Sequence, residues 1–394
     1  PSNIQNLKNI AHKLLNDVIT VNRMKNEGNF PLLMKFILER SAKLFPKQEI
    51  VDRDLRYNYH DAHERMARLA NALEGLRIEN GDKVATLAWN THRHFELYWT
   101  TPCMGAVLHP VNVRLFPDQI VRIMNHAEDK IIFLDDDFIP LVEGLRNKLE
   151  TVKAYVIMTD KTKMPKTNLD PVYEYEAILR KASSKCEWPE FDENTLATLG
   201  YTTGTTGEPK GVSFTHRMLF LHTLITTLPE AFPITRYDTV LHIVPMFHVH
   251  SWGIPYDSTL VGAKQVFPGS FKIEVIMELI QRERVTITAA VPTVFAMMLA
   301  HPEADKYDLR SLRYAFSGGA PTSMGLIKAF RDKFGVQLIT SYGLTETCPV
   351  LTKAHLKPYM RGWPPQRRDE VYSKTGLPLP GVDLKVINEQ GEEV

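Results

Sequence analysis

Apolar residues recur at helical spacing near the start of the chain. Ile4, Leu7, Ile10, Leu14, Leu15 and Val18 in "IQNLKNIAHKLLNDVI" predict an amphipathic helix. "FPLLMKFILERSAKLF" predicts a second helix, opened by Pro31 and stopped by Pro46. An alternation follows. "YHDAHERMARLANALEGL", "THRHFELYWTTPCMGA" and "FPDQIVRIMNHAE" keep the helical period, while "DKVATLAW", "VLHPVN" and "IIFLDD" are apolar runs of strand length. Helices alternating with short buried strands predict an α/β fold with a largely parallel sheet. From Lys161 to about Thr195 the pattern dissolves into a surface connection, with one short helix in "YEYEAILRKA". It then resumes with "LATLGY" and "GVSFT" as strands, the helix "HRMLFLHTLITTL", and strands in "TVLHIVPMF", "AKQVF", "VTITAAVP", "LRYAFSGG" and "VQLITSYG". "TGLPLPGVDLKVINEQGEEV" has the short strands and Gly/Pro turns of a β-barrel. The expected fold is therefore two α/β lobes with mostly parallel sheets, residues 1–195 and 196–354, and the start of a small β-barrel over 355–394.

Composition narrows the function classes. With 394 residues, 44% hydrophobic and 24% charged, the chain is an ordinary globular one, long enough to bury a core without staples. A net charge of +1 gives no attraction to nucleic acid or to an anionic membrane. Cys103, Cys186 and Cys348 stand far apart, which argues against disulfides and zinc and fits a reducing cytoplasm. The most apolar run, "VTITAAVPTVFAMMLA", is broken by Pro292 and falls short of a transmembrane span. There is no signal-peptide pattern. The sequence stops in the polar turn "NEQGEEV", after which further chain is expected.

One stretch breaks the alternation. "YTTGTTGEPKG", Tyr201 to Gly211, is almost free of apolar side chains. It lacks the Gly-Lys-Ser/Thr ending of the nucleotide P-loop and contains no dinucleotide glycine fingerprint. Its chemistry still suits phosphate. Gly204 and Gly207 allow backbone N–H groups to turn toward an anion. Thr202, Thr203, Thr205 and Thr206 bring hydroxyls, and Lys210 a full positive charge. A flexible linker would not run straight into a strand, so the stretch reads as a polyphosphate cradle.

The loop resembles the phosphate-loop signature of the adenylate-forming superfamily, which includes acyl-CoA synthetases, peptide-synthetase adenylation domains and firefly luciferase. "VPMFHVHSWG", "SGGAP" and "YGLTET" follow in the order that family has them, and the resemblance extends from about Phe30 to Val394. "VPMFHVHSWGIPYDSTLVGAKQVFPG" is most similar to prokaryotic medium- and long-chain fatty acyl-CoA synthetases. The resemblance implies ATP-dependent, AMP-forming activation of a fatty acid to an acyl-adenylate, then transfer to coenzyme A, with Mg2+ as cofactor. It is compatible with a homodimer, for which the sequence carries no interface signal.

By the same resemblance, Thr202 and Glu346 hold the magnesium, while Lys210 and Thr345 contact phosphate. Tyr342 stacks on adenine in a pocket with Thr340, Ser341 and Gly343. Gly318, Gly319 and Ala320 let the backbone approach the nucleotide, Gly319 also facing the acyl group. His248 lies beside the carboxylate and α-phosphate, and Trp252 with Val249 gates the acyl tunnel. Each has a plainer alternative. Glu346 in "LTET" could belong to a helix cap at Thr345, Tyr342 and Trp252 could be core aromatics, and the glycines could form a tight turn. Two residues apart, His248 and His250 have strand spacing and would share a face; with no third ligand nearby they make no zinc site. Asp135, Asp136 and Asp137 read as a solvated strand end. The family's ribose-binding aspartate, hinge and lid lysine have no match before Val394, so turnover by this chain alone is in question. An aryl- or short-acid CoA ligase, or a binding module without turnover, are the alternatives in function.

Overall fold

A computed structural model describes residues 30–203 and 209–394, and the helix predicted in residues 4–19 lies outside them. Among the described residues the strands form two sheets. The first runs, edge to edge, Val172–Glu174, Ala154–Met158, Asp129–Asp135, Lys83–Leu87, Val107–Pro110, Leu196–Thr203 and Pro209–Thr215. All neighbours are parallel except the last pair, an antiparallel hairpin. The second runs Leu377–Pro378, Val350–Lys353, Leu338–Gly343, Tyr314–Ser317, Ile287–Ala290, Thr239–His242, Lys264–Phe267, Glu49–Asp52 and Leu55–Asn58. Its five central pairings are parallel and its edges antiparallel.

The helices form for the reasons the pattern gave. Tyr59–Gly75 is capped by Asn58, whose side chain accepts from the Asp61 N–H, and buries Ala62, Met66, Leu69, Ala70 and Leu73 along one stripe. Ile273–Glu283 likewise sends Ile273, Ile276, Met277, Leu279 and Ile280 into a core shared with Phe295, Ile327 and Phe330. The parallel strands between them are buried on both faces, which is why they read as unbroken apolar runs.

Three differences from the sequence reading bear on the site. The hairpin Leu196–Thr203/Pro209–Thr215, expected to begin the second lobe, belongs to the first sheet, where Leu108 pairs with Thr198. Conversely Glu49–Asp52 and Leu55–Asn58, not foreseen as strands, complete the second sheet from the N-terminal side. Contacts group residues 33–394 as one unit. Within 355–394, read as the start of a barrel, the chain instead forms the helix Pro365–Tyr372 and sends Leu377–Pro378 to the edge of the second sheet. Pairing explains the hairpin: its arms stay paired from Thr198 to Thr203, so the second arm follows the first into the sheet that Thr198 joins beside Leu108.

Asp135 to Asp137 stand at the end of strand Asp129–Asp135 and Asp137 is exposed, as expected, but Asp135 is buried and all three are bonded. The Asp135 carboxylate accepts from the Trp89 N–H at 2.7 Å, Asp137 from the Trp89 indole N–H at 2.9 Å, and Asp136 pairs with Lys161 at 2.7 Å. Burial pushes the Asp135 carboxyl up to about 7. Asp135 and Asp137 thus fix the turn at Trp89, just past the end of strand Lys83–Leu87.

Candidate active site

The hairpin of the first sheet and the strand ends of the second enclose a cavity of about 460 Å3. From the hairpin come Thr202 and Lys210, which face one another across the ladder and so point to the same side. The second sheet supplies Gly318 and Gly319 after strand Tyr314–Ser317, and Ser341, Tyr342 and Gly343 at the end of strand Leu338–Gly343. Thr345 and Glu346 follow on a single 3-10 turn, and His248, Val249 and Trp252 close the remaining wall. The four motifs thus meet in one place. Leu344, inside "YGLTET" but given no role there, also lines it, as do Pro349 and Val350, which are apolar, lie outside any motif and gave no signal in the sequence.

Other expected positions lie elsewhere. Gly204, Thr205, Thr206 and Gly207 are outside the described residues, and of Thr203 only the backbone is described. Ala320 is exposed and does not line the cavity. Thr340 is also off the cavity wall, because alternation along its strand turns it to the opposite face from Ser341. Both hydroxyls are buried and lack a hydrogen-bond partner among the described residues. A buried hydroxyl on a cavity wall wants a partner, so Ser341 is ready for a polar ligand.

The turn Thr345–Thr347 removes one alternative. It begins after Leu344 and no α-helix follows. The Thr347 hydroxyl accepts from the Leu344 N–H at 3.0 Å and donates to the Pro349 carbonyl at 2.7 Å. Thr347 therefore closes the turn, and the exposed Glu346 carboxylate, facing the cavity, caps nothing. Tyr342 is 38% exposed with its ring on the cavity wall, so it is not a core tyrosine. Gly318 is needed for packing: a Cβ there would stand 2.9 Å from the Ser341 carbonyl oxygen and 3.1 Å from the Trp252 ring.

Between His248 and Ile254 the backbone departs from the strand expected of "FHVHSW". Val249, His250, Ser251 and Trp252 all have φ between 45° and 57°, and Gly253 has φ 80°. Four successive L-residues in the left-handed region cost roughly 1–2 kcal/mol each, so the surroundings must hold the turn. Ser251 Oγ donates to the Val244 carbonyl at 2.8 Å. His250 is buried against Phe214 and Tyr98. The turn therefore separates the two histidines that strand spacing put on one face: His248 lines the cavity, while His250 lies behind it. Burial holds His250 down to about 3, hence neutral; the pocket walls and then the Arg114 charge lower His248 as well.

His222 supports this turn from helix His216–Thr226. Its Nε2 accepts from the Val350 N–H at 3.3 Å, and a Cβ on Gly253 would stand 2.9 Å from its ring. Burial lowers it to about 3, so it stays a neutral acceptor. His222→Ala is expected to lower the unfolding free energy by roughly 2–4 kcal/mol, the cost of a cavity plus a bare N–H; urea titration at pH 7.5 measures it.

Residues 38–394 match the AMP-binding enzyme family. The chain belongs to that family. It is 41% identical over 363 residues to a long-chain-fatty-acid–CoA ligase of Thermus thermophilus, covering 91% of this chain and 65% of that ligase. To a 3-methylmercaptopropionyl-CoA ligase of Ruegeria lacuscaerulensis it is 34% identical over 370 residues, 92% of this chain and 69% of that ligase. Among solved structures, the inhibitor-bound N-terminal domain of FACL13 from Mycobacterium tuberculosis has the same fold, with a TM-score of 0.76 at 25% identity over 92% of this chain and 86% of that one. The chain spans just under two thirds of the length of the Thermus ligase, at 65%. No helix among the described residues of this AMP-binding family member is long and apolar enough to cross a membrane.

Proposed function

We propose that this chain carries the adenylation site of an AMP-forming acid–thiol ligase: a carboxylate attacks the α-phosphate of ATP, pyrophosphate leaves, and the acyl group then passes to the thiol of coenzyme A. The single observation that supports it is the convergence of phosphate-loop, glycine-pair, aromatic and acidic motifs on one cavity. A carboxylate and a polyphosphate are both anions, so the reaction needs charge neutralisation and alignment more than a base. The cavity has that character. Lys210 supplies the charge on the hairpin, Thr345 a hydroxyl for the α-phosphate, and Tyr342 an open face for adenine with Ser341 and Gly343 beside it. His248, held neutral, donates a hydrogen bond to the carboxylate or α-phosphate oxygens.

Thr202 and Glu346 both line the cavity with oxygen donors, the set magnesium prefers, and among the described residues no cluster of three or more His, Cys, Asp or Glu competes for a metal. Magnesium bound there would offset phosphate charge. We assign the acid as a fatty acid: Val249, Trp252, Pro349 and Val350 give the acyl side apolar walls. An amino-acid substrate would call for a carboxylate facing its ammonium. Asp257, the one acid near the motif, is fully buried, bonds to the Thr226 hydroxyl at 2.8 Å, is pushed well up by burial and lies off the cavity.

Fatty-acid-dependent exchange of pyrophosphate into ATP tests this reading, with the chain extended past Val394 by the remainder its relatives have. Exchange driven by fatty acids supports it, and a fully folded protein without exchange for any acid would sink it. Lys210→Ala is expected to slow exchange about ten- to a hundred-fold, the loss of a charge-assisted hydrogen bond of roughly 1.5–3 kcal/mol. An unchanged rate would remove the hairpin from the phosphate role.

A further inference from the structure

The segment that carries His248 and Trp252 leaves the second sheet at His242 and reaches its left-handed turn without further strand pairing. Its carbonyls and N–H groups nevertheless have partners, and three of these bonds come from one side chain beside the first sheet. Asn90 Nδ2 donates to the His242 carbonyl at 2.7 Å and to the Val244 carbonyl at 2.8 Å. Its Oδ1 accepts from the Met246 N–H at 2.8 Å. Two carbonyls on one end and an N–H on the other admit a single amide orientation. Asn90 itself is 5% exposed, and its own carbonyl accepts from the Gly269 N–H at 2.9 Å. Trp89 beside it is clamped by Asp135 and Asp137.

We propose that Asn90 is a positioning residue for the acid-activating step: it sets the path of His242 to Met246, and through it the placement of His248 and the left-handed turn bearing Trp252. Val244 is the junction, since its carbonyl takes both Asn90 Nδ2 and Ser251 Oγ. Met246 lies two residues before His248, and its carbonyl accepts from the Tyr98 hydroxyl. No smaller or charged residue does the same work. Alanine takes this partner from the His242 carbonyl and the Met246 N–H and leaves the Val244 carbonyl with Ser251 Oγ alone, and aspartate turns a carboxylate toward two carbonyls. The proposal rests on the adenylation reading, because it assigns Asn90 to the acid end of the cavity and not to the nucleotide end.

The test is calorimetric titration of this chain with AMP and with 5′-O-(N-octanoylsulfamoyl)adenosine, a stable acyl-adenylate mimic. Asn90→Ala and Asn90→Asp are expected to lose about tenfold to a hundredfold in affinity for the mimic, with AMP affinity held within about twofold. A merely structural asparagine would weaken both ligands alike or neither, and either result overturns the proposal. Should Asn90→Ala fail to fold, Asn90→Ser, which keeps one hydroxyl in the same cage, carries the comparison with an intermediate loss expected. A wild-type chain that binds neither ligand overturns the adenylation reading and this proposal together; wild-type binding with unchanged variants overturns this proposal alone.

Discussion

Acidification from pH 7.5 to pH 5 is expected to bring the chain close to unfolding, well before the carboxylates of its surface ion pairs are protonated. Five histidines are buried and held neutral: burial lowers His94 and His216 to about 4, and His222, His242 and His250 to about 3. Unfolded histidine takes its proton near 6.5. Below that pH the unfolded chain binds protons that the folded chain refuses, so stability falls with pH throughout the window from 6.5 down to the folded values. At pH 5 each of the five costs about 2 kcal/mol, together about 10 kcal/mol. Asp135 acts in the opposite sense, because its carboxyl is raised to about 7 and gains its proton earlier in the folded chain. It returns about 2 kcal/mol by pH 5, and the raised Asp257 adds to that return. The histidines dominate against a total stability of about 5–15 kcal/mol. Urea midpoints followed by circular dichroism from pH 7.5 to 5 measure the slope, and a flat profile would mean that these imidazoles gain protons without unfolding.

Gly343→Ala is expected to be the most damaging small substitution at the site. A Cβ at Gly343 would lie 1.8 Å from the Pro349 carbonyl oxygen and 2.7 Å from its carbon, where only backbone could give way. That oxygen is the acceptor that closes the turn bearing Glu346, through the Leu344 N–H at 3.0 Å and the Thr347 hydroxyl. Pushing it aside should cost roughly 3–5 kcal/mol in stability and displace Thr345 and Glu346 from the cavity. Thermal unfolding and AMP titration check both halves. Gly75→Ala, where a Cβ would meet nothing within 4 Å, serves as the control and should be near neutral or slightly stabilising. AMP affinity that survives in Gly343→Ala would detach this turn from the nucleotide.

Much of this was legible in the sequence, for physical reasons that differ from element to element. The strand at Ile287–Ala290 and the helix at Ile273–Glu283 announce themselves because burial on one or two faces dictates their composition. The strands Glu49–Asp52 and Leu55–Asn58 do not, since four-residue strands holding two charged residues in one case and a single arginine between leucine and tyrosine in the other carry too little pattern. Motif order foretold which segments line the cavity, but not that Thr340 and Ala320 miss it. Neither the left-handed turn nor Asn90 could be found by pattern. Positive φ usually advertises itself through glycine or asparagine, and Val249 to Trp252 contain neither. Asn90 recognises backbone groups 152 to 156 positions away, and backbone has no letter in a sequence.

The hairpin's membership of the first sheet has a consequence for anyone recombining this chain with a homologue. The linker-like stretch before Leu196 invites a crossover there, yet that junction would graft a foreign pair of strands onto the edge beside Val107–Pro110. A splice placed after Thr215, where helix His216–Thr226 begins, keeps the first sheet of single parentage, and the second sheet then takes only Glu49–Asp52 and Leu55–Asn58 from the N-terminal parent. The chimaera would then inherit Lys210 from one parent and Trp252 from the other, so that, on the proposed adenylation reading, preference among acids could be exchanged as a cassette.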